Sequence, residues 1–280
     1  MADAGREPAL LATSDLHVRF SQNRRIVQGM RPRSNGDWLI VAGDVGELIE
    51  DVEWALRLLR QRFDTVLWVP GNHELWTHPE DPVQLRGEDR YQHLVEMCRR
   101  LGILTPEDPY PVWDGPGGPA VVVPMFLLYD YTFRPTGATS KPEGLRLAEE
   151  AGVVCADEFL LHPDPYGTRE DWCRARLLAT ERRLEALDTG TATILVNHFP
   201  LVRKPTDVLR FPEFAQWCGT VETADWGQRF RAQVVVYGHL HIPRTTIWNG
   251  IRHEEVSVGY PREWSRRGHP HGVLRQILPA

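Results

Sequence analysis

The chain contains no apolar run near the roughly 18–20 residues that a membrane-spanning helix needs. Its first residues, Met1-Ala-Asp-Ala-Gly-Arg-Glu-Pro, lack the basic and then apolar order of a secretory signal. These two absences predict a soluble, cytoplasmic protein with no membrane partner. Cysteine is scarce. Cys98, Cys155, Cys173 and Cys218 are far apart and form no CxxC pair, so neither a zinc knuckle nor a disulfide framework is indicated. Reduced, buried thiols are the expectation. Positive charge is not in excess: 32 Lys and Arg against 38 Asp and Glu leave a net −6. That balance argues against a protein that coats nucleic acid with a broad basic surface. Repeats and low-complexity tracts are also missing, and 42% hydrophobic with 25% charged residues is globular composition. One domain spanning 1–280 is expected.

What the chain does have is a series of short apolar runs, each followed at once by polar residues. Ala9–Thr13 runs into Ser14-Asp15-Leu16-His17, and Trp38–Ala42 into Gly43-Asp44. Val66–Val69 leads into Pro70-Gly71-Asn72-His73-Glu74, Thr193–Val196 into Asn197-His198, and Val234–Tyr237 into Gly238-His239-Leu240-His241. Runs of four or five such residues read as strands buried on both faces. Between them lie helical patterns over 50–63, 88–101 and 169–187. Asn249-Gly250 between two strand-like runs predicts a hairpin. The sum is a layered α/β protein with two stacked sheets between helices. Residues 125–190 fit the alternation least and read as an insertion, or cap, over the strand ends.

In an open α/β sheet, ligands bind beyond the strand ends. Five such loops converging on one crevice would bring together Asp15, His17, Asp44, Asn72, His198, His239 and His241. Four imidazoles, two carboxylates and an amide are too many donors for one tetrahedral ion. They suit two ions sharing a carboxylate, and the nitrogen and oxygen mixture favours Mn, Fe or Zn over Ca or Mg. Gly43, Gly71 and Gly238 each precede a candidate ligand, where a missing Cβ permits a sharp turn and close approach. In extended backbone, His239 and His241 would fall on one side. His162, His269 and His271 lie outside these blocks and are given no ligand role.

The ordered blocks D-x-H, G-D, G-N-H-E, a histidine after a strand, and G-H-x-H resemble the signature of the calcineurin-like metallophosphoesterase family, bacterial members in particular. The resemblance implies a four-layer α/β sandwich: two central mixed β-sheets flanked by helices, with the metal site at the strand C-terminal ends. It implies that Asp15, His17, Asp44 and His241 hold one divalent ion and that Asp44, Asn72, His198 and His239 hold the other, with Asp44 bridging. His73 would match the family's non-ligand histidine beside the scissile phosphate and assist the leaving group. Glu47 stands where the protein Ser/Thr phosphatases of the family carry Asp, which argues against that branch.

The expected activity is hydrolysis of a phosphate ester by a hydroxide held between two metals. The metals leave the pocket locally positive in an acidic protein, so an anionic phosphate is drawn there. The expected partner is a small phosphorylated metabolite or nucleotide, with Tyr129, Tyr131, Arg134, Arg203 and Arg210 as candidate substrate contacts. Core packing is the expected role of each tryptophan, with Trp76, Trp217 and Trp264 the candidates to wall an organic leaving group. Two competing readings are a nuclease or phosphodiesterase on nucleic acid, disfavoured by the acidic balance, and a catalytically silent metal-binding scaffold, disfavoured because no ligand is missing. Oligomeric state leaves no trace in the sequence.

Overall fold

In a computed structural model, residues 5–267 and 273–280 are described; His269 and His271 lie outside them. In chain order the strands are β1 (Leu10–Thr13), β2 (Trp38–Val41), β3 (Thr65–Trp68), β4 (Val112–Trp113), β5 (Ala120–Pro124), β6 (Thr193–Val196), β7 (Ala232–Tyr237), β8 (Arg244–Trp248), β9 (Ile251–Glu255) and β10 (Arg275–Leu278). The helices are α1 (Ser21–Gly29), α2 (Ile49–Arg60), α3 (Asn72–Leu75), α4 (Gly87–Arg100), α5 (Lys141–Glu150), α6 (Asp157–Leu160), α7 (Arg169–Glu185), α8 (Trp226–Arg229) and α9 (Pro261–Trp264).

The five apolar runs are β1, β2, β3, β6 and β7. They divide between two mixed sheets, ordered β10-β1-β2-β3 and β4-β5-β6-β7-β9-β8. Strands β1, β2 and β3 are parallel, as are β5, β6, β7 and β9, so within each sheet the parallel strand ends lie on the same edge. The period of two then sorts side chains by face. Leu10, Ala12, Ile40 and Leu67 of one sheet pack against Val122, Ile194, Val196, Val234 and Val236 of the other as one core. Leu11, Leu39, Val66, Val123, Leu195 and Val235 point the other way, into the core that includes the helices. This is the four-layer sandwich the resemblance implied.

Helix α2 buries Val52, Leu56 and Leu59, and α4 buries Tyr91, Leu94 and Cys98, each along one face within the expected helical spans. Asn249 (φ 49°) and Gly250 (φ 77°) make the tight turn between antiparallel β8 and β9. All four cysteines are buried and free. Within 125–190, α7 buries Trp172, Cys173 and Leu184, so much of this segment carries core residues. Among the described residues no helix is long and apolar enough to cross a membrane.

Candidate metal centre

Asp15 follows β1, Asp44 follows β2, and Asn72 opens α3 after β3; His198 follows β6, and His239 and His241 follow β7. The loops are tied together at their backbones. Asp15 N–H donates to Gly43 O (2.9 Å), His17 N–H to Asp44 O (3.1 Å), and Gly238 N–H to His198 O (2.9 Å). A bridge between Ser14 and Ser257 joins the two sheets at this edge. Asp15, His17, Asp44, His239 and His241 all have positive φ, between 40° and 69°. Left-handed backbone is uncommon for residues with a Cβ and gathers where a site constrains the chain. It also corrects one expectation: the backbone at His239 and His241 is left-handed rather than extended.

One group is Asp15, His17, Asp44 and His241; a second is Asp44, His198 and His239; in each, one ligand atom per residue lies within 4.8 Å of the others. Asp44 belongs to both. In the first group, Nε2 of His17 faces Nε2 of His241 at 3.2 Å, and Asp15 Oδ1 lies 3.0 Å from the latter. His241 Nδ1 donates to Glu263 Oε2 (2.8 Å), leaving its Nε2 turned inward. Asp15 Oδ2 accepts from Ser257 Oγ (2.7 Å) and from His239 N–H (3.0 Å). Burial alone would raise the Asp15 carboxyl, but the adjacent His241 imidazole holds it well below the usual carboxylate range.

In the second group, His198 Nδ1 donates to Ala42 O (2.9 Å), so Nε2 faces Asn72 Oδ1 (3.2 Å) and Asp44 Oδ2 (3.4 Å). Burial disfavours the charged His198, yet the Asp44 carboxylate outweighs it and lifts the ring to about 10. The buried His239 Nε2 has no hydrogen-bond partner, and desolvation pushes that ring down to about 3. Asn72 Nδ2 donates to Asp157 Oδ1 (2.9 Å), which also accepts from Trp76 Nε1 (2.6 Å). That fixes which end of the amide faces the cluster. Beneath both groups, buried Glu74 accepts from the N–H groups of Asp44, Val45 and Gly71 at 2.8–3.0 Å.

These features fit a pair of divalent cations. Two ring nitrogens facing each other, an orphaned buried imidazole nitrogen and a shared carboxylate are poorly satisfied by protons alone. Histidines whose second nitrogen is pinned by Glu263 or a backbone carbonyl are arranged as metal ligands are.

His73 packs against the first group. Its backbone N–H donates to Asp44 Oδ1 (2.9 Å), its Nδ1 meets Glu47 Oε1 (3.0 Å), and its Nε2 lies 3.4 Å from the Tyr260 hydroxyl. Two adjoining cavities meet here. One, of about 330 Å³, contains Asp44, Asn72, His239 and His241 on its wall. The other, of about 580 Å³, is walled by Phe20, Trp76, Leu160 and Pro261. His73, Trp76, Tyr260 and Arg262 line both.

The candidate substrate contacts line neither cavity. Tyr129 and Tyr131 are buried, and Tyr131 is used internally, donating to Glu158 (2.7 Å) and accepting from Arg169 (2.7 Å). Arg134, Arg203 and Arg210 are exposed, with Arg203 bonded to the Arg134 carbonyl. The arginines on the cavity walls are Arg19 and Arg262. Trp76 is a wall; the indole N–H groups of Trp217 and Trp264 are held by Glu158 and Asn23. Sequence reasoning gave Asp157, Glu263 and Ser257 no role. Asp157 carries no motif, and the other two lie beyond the last block, Gly238-His239-Leu240-His241.

Residues 9–243 match the family model described as calcineurin-like phosphoesterase. The chain is 58% identical over 275 residues to the acyl-carrier-protein phosphodiesterase PptH of Mycobacterium tuberculosis, covering 98% of this chain and 85% of that protein. A crystal structure titled as Phosphopantetheinyl Hydrolase (PptH) from the same organism superposes with a TM-score of 0.96 at 58% identity, covering 99% of this chain and 98% of that one. The relative's named substrate is a carrier protein. This overturns the expectation of a small free phosphorylated partner.

Proposed function

This chain belongs to the calcineurin-like phosphoesterase family, making it a metal-dependent phosphoesterase, and from that premise we propose that it hydrolyses the phosphodiester linking a phosphopantetheinyl group to an acyl-carrier protein. The observation that carries this reading is the pairing of two donor groups around a shared Asp44 with near-full-length identity to a phosphodiesterase of that substrate. Hydrolysis consumes one water, breaks the P–O bond to the carrier, and leaves a carrier hydroxyl and a phosphomonoester.

Asp15, His17, Asp44 and His241 would hold one cation; Asp44, Asn72, His198 and His239 the other. When bound, such a pair supplies Lewis-acid charge and an activated water to an in-line displacement at phosphorus. The chain does the rest. Glu74 locks the loops after β2 and β3 through three backbone N–H groups. Ala42 O, Glu263 and Asp157 turn His198, His241 and Asn72 so that the donor atom of each points inward. Glu47 accepts from His73 Nδ1, which turns Nε2 toward the Tyr260 hydroxyl (3.4 Å), a contact it would exchange for the departing carrier oxygen. Burial opposes a charged His73, but the Asp44 and Glu47 carboxylates outweigh it and raise the ring above its ordinary value; with Asp44 shared between cations, Glu47 would carry that support for the proton a general acid gives up. Residues 154–157, part of the 125–190 segment, line the smaller cavity, and we read the chain as one domain in which that segment overlies the strand ends.

The test is a Mn-loaded preparation incubated with phosphopantetheinylated carrier protein and followed by intact mass. Conversion of the carrier to its unmodified form is expected. A carrier of unchanged mass, in a preparation that cleaves bis(p-nitrophenyl) phosphate, overturns the reading.

A further inference from the structure

We propose that the 580 Å³ cavity beside the donor groups is the subsite for the pantetheinyl arm. The inference rests on the carrier-protein reading above. A phosphodiester has two substituents. With phosphorus at the donor groups, one substituent is a protein, which stays outside, and the other is a narrow chain that needs a groove of its own.

The larger cavity has the right position and chemistry. It adjoins the metal pocket, with His73, Trp76, Tyr260 and Arg262 on the walls of both. Its volume falls in the range of small-molecule sites. Phe20 stands 42% exposed on its wall and meets Tyr260 edge-on at 5.6 Å between ring centroids. Phe20 is not isolated there, since Trp76, Leu160 and Pro261 stand on the same wall and make the cavity lining largely apolar. With Trp76, Leu160 and Pro261 it would cover the arm's gem-dimethyl and methylene groups.

The polar groups argue for an uncharged occupant. Arg19 on this wall is already paired with Glu80 (2.6 Å), so the far end offers no free cation for a second phosphate. Its guanidinium meets His78 as well (3.4 Å). Arg262 sits at the junction of the two cavities, over the Tyr260 ring at 5.1 Å, where the phosphate end would lie. Gln22 remains for the arm's amides. A largely apolar wall, on which Arg19 is paired with Glu80 and Glu47 with His73, leaving Arg262 toward the metal pocket and the Gln22 amide, fits a diamide chain better than a nucleotide.

Pantetheine, which has no phosphate, should bind the Mn-loaded full chain in calorimetric titration. The surface substitution Phe20→Ser and the separate Leu160→Asn should each weaken it by about tenfold, the effect of removing roughly one apolar side chain's contact. The ratio of kcat/KM for phosphopantetheinylated carrier to that for bis(p-nitrophenyl) phosphate should fall by the same factor. Absence of pantetheine binding, or binding and a ratio that neither substitution changes, overturns the subsite even if the carrier is hydrolysed. Pantetheine binding that both substitutions weaken, beside an untouched carrier, upholds the subsite and overturns the reaction proposed above.

Discussion

An amide is a weak ligand, and Asn72 presents its oxygen inward only because Asp157 holds its NH₂ group on the other side. Asp157 is fully buried, and burial raises its carboxyl above the ordinary range, so the residue is costly unless its bonds are made. We expect Asp157→Ala to weaken binding of one cation of the pair by ~10–100-fold, the usual effect of losing a ligand's supporting bond, while Asp157→Asn, which still accepts, recovers part of it. Competition against a fluorescent chelator reads both; equal affinity in Asp157→Ala and the unaltered protein would count against the role. His73 calls for the opposite result. His73→Gln should lower kcat by ~10²–10⁴ and leave metal content at two equivalents, and unchanged turnover would remove it from the chemistry. The contrast also shows what was legible. Asp15, Asp44, Asn72, His198 and His239 were readable because each ends an apolar run. Asp157 and Glu263 support their ligands from elsewhere in the chain, and nothing in their local sequence marks them. Glu47 was visible only as a departure from a family pattern, yet its carboxylate is what orients His73.

The elements that matter most are the turns off the strands. Gly71 and Gly238 sit where a side chain has no room: a Cβ at Gly71 would stand 2.0 Å from Asp44 Oδ1, and one at Gly238 would stand 2.1 Å from Ser14 Oγ and 2.3 Å from Asp15 Oδ2. Gly238→Ala should therefore push Asp15 aside and cut metal stoichiometry, as measured by elemental analysis, even where far-UV dichroism is unchanged; two full equivalents in a folded variant would contradict this. Strand β9 offers a second check. Burial holds His253 near 4, against 6.5 for the free ring. The neutral form is favoured by the fold, so its contribution is complete above pH 6.5 and is lost as pH falls toward 4, about 3 kcal/mol in all. Urea unfolding of His253→Gln should lose about that much less between those pH values; parallel curves would show the ring is not strained by protonation. Strands that carry no motif escaped the sequence reading. Ala120–Pro124 is as apolar as the others, but it runs into Met125-Phe126-Leu127-Leu128 rather than a ligand, and β4 and β10 are antiparallel edge strands of two and four residues.

At the scale of the molecule, the donor groups are assembled from both sheets. Asp15, His17, Asp44 and Asn72 come from the β1–β3 sheet; His198, His239 and His241 come from the sheet containing β6 and β7. Asp44 meets ligands from both. Each cation would therefore cross-link two layers that also meet through an apolar interface, the Ser14–Ser257 bridge and hydrogen bonds such as His198 Nδ1 to Ala42 O and His239 N–H to Asp15 Oδ2. Binding to the folded state alone stabilises by RT ln(1 + [L]/Kd), ~4 kcal/mol per site at a thousandfold excess over Kd, or ~10 °C in Tm for a chain of this size. Chelation should abolish phosphodiester hydrolysis and lower Tm by that order. Amide exchange should rise at the C-terminal ends of β1, β2, β6 and β7 together, because the lost link joins them, while the Asn249-Gly250 turn, at the opposite edge of its sheet, changes little. Mn should restore all three. If chelation removes activity but exchange rises in only one sheet, the cations are held within a layer, and the shared role assigned to Asp44 fails.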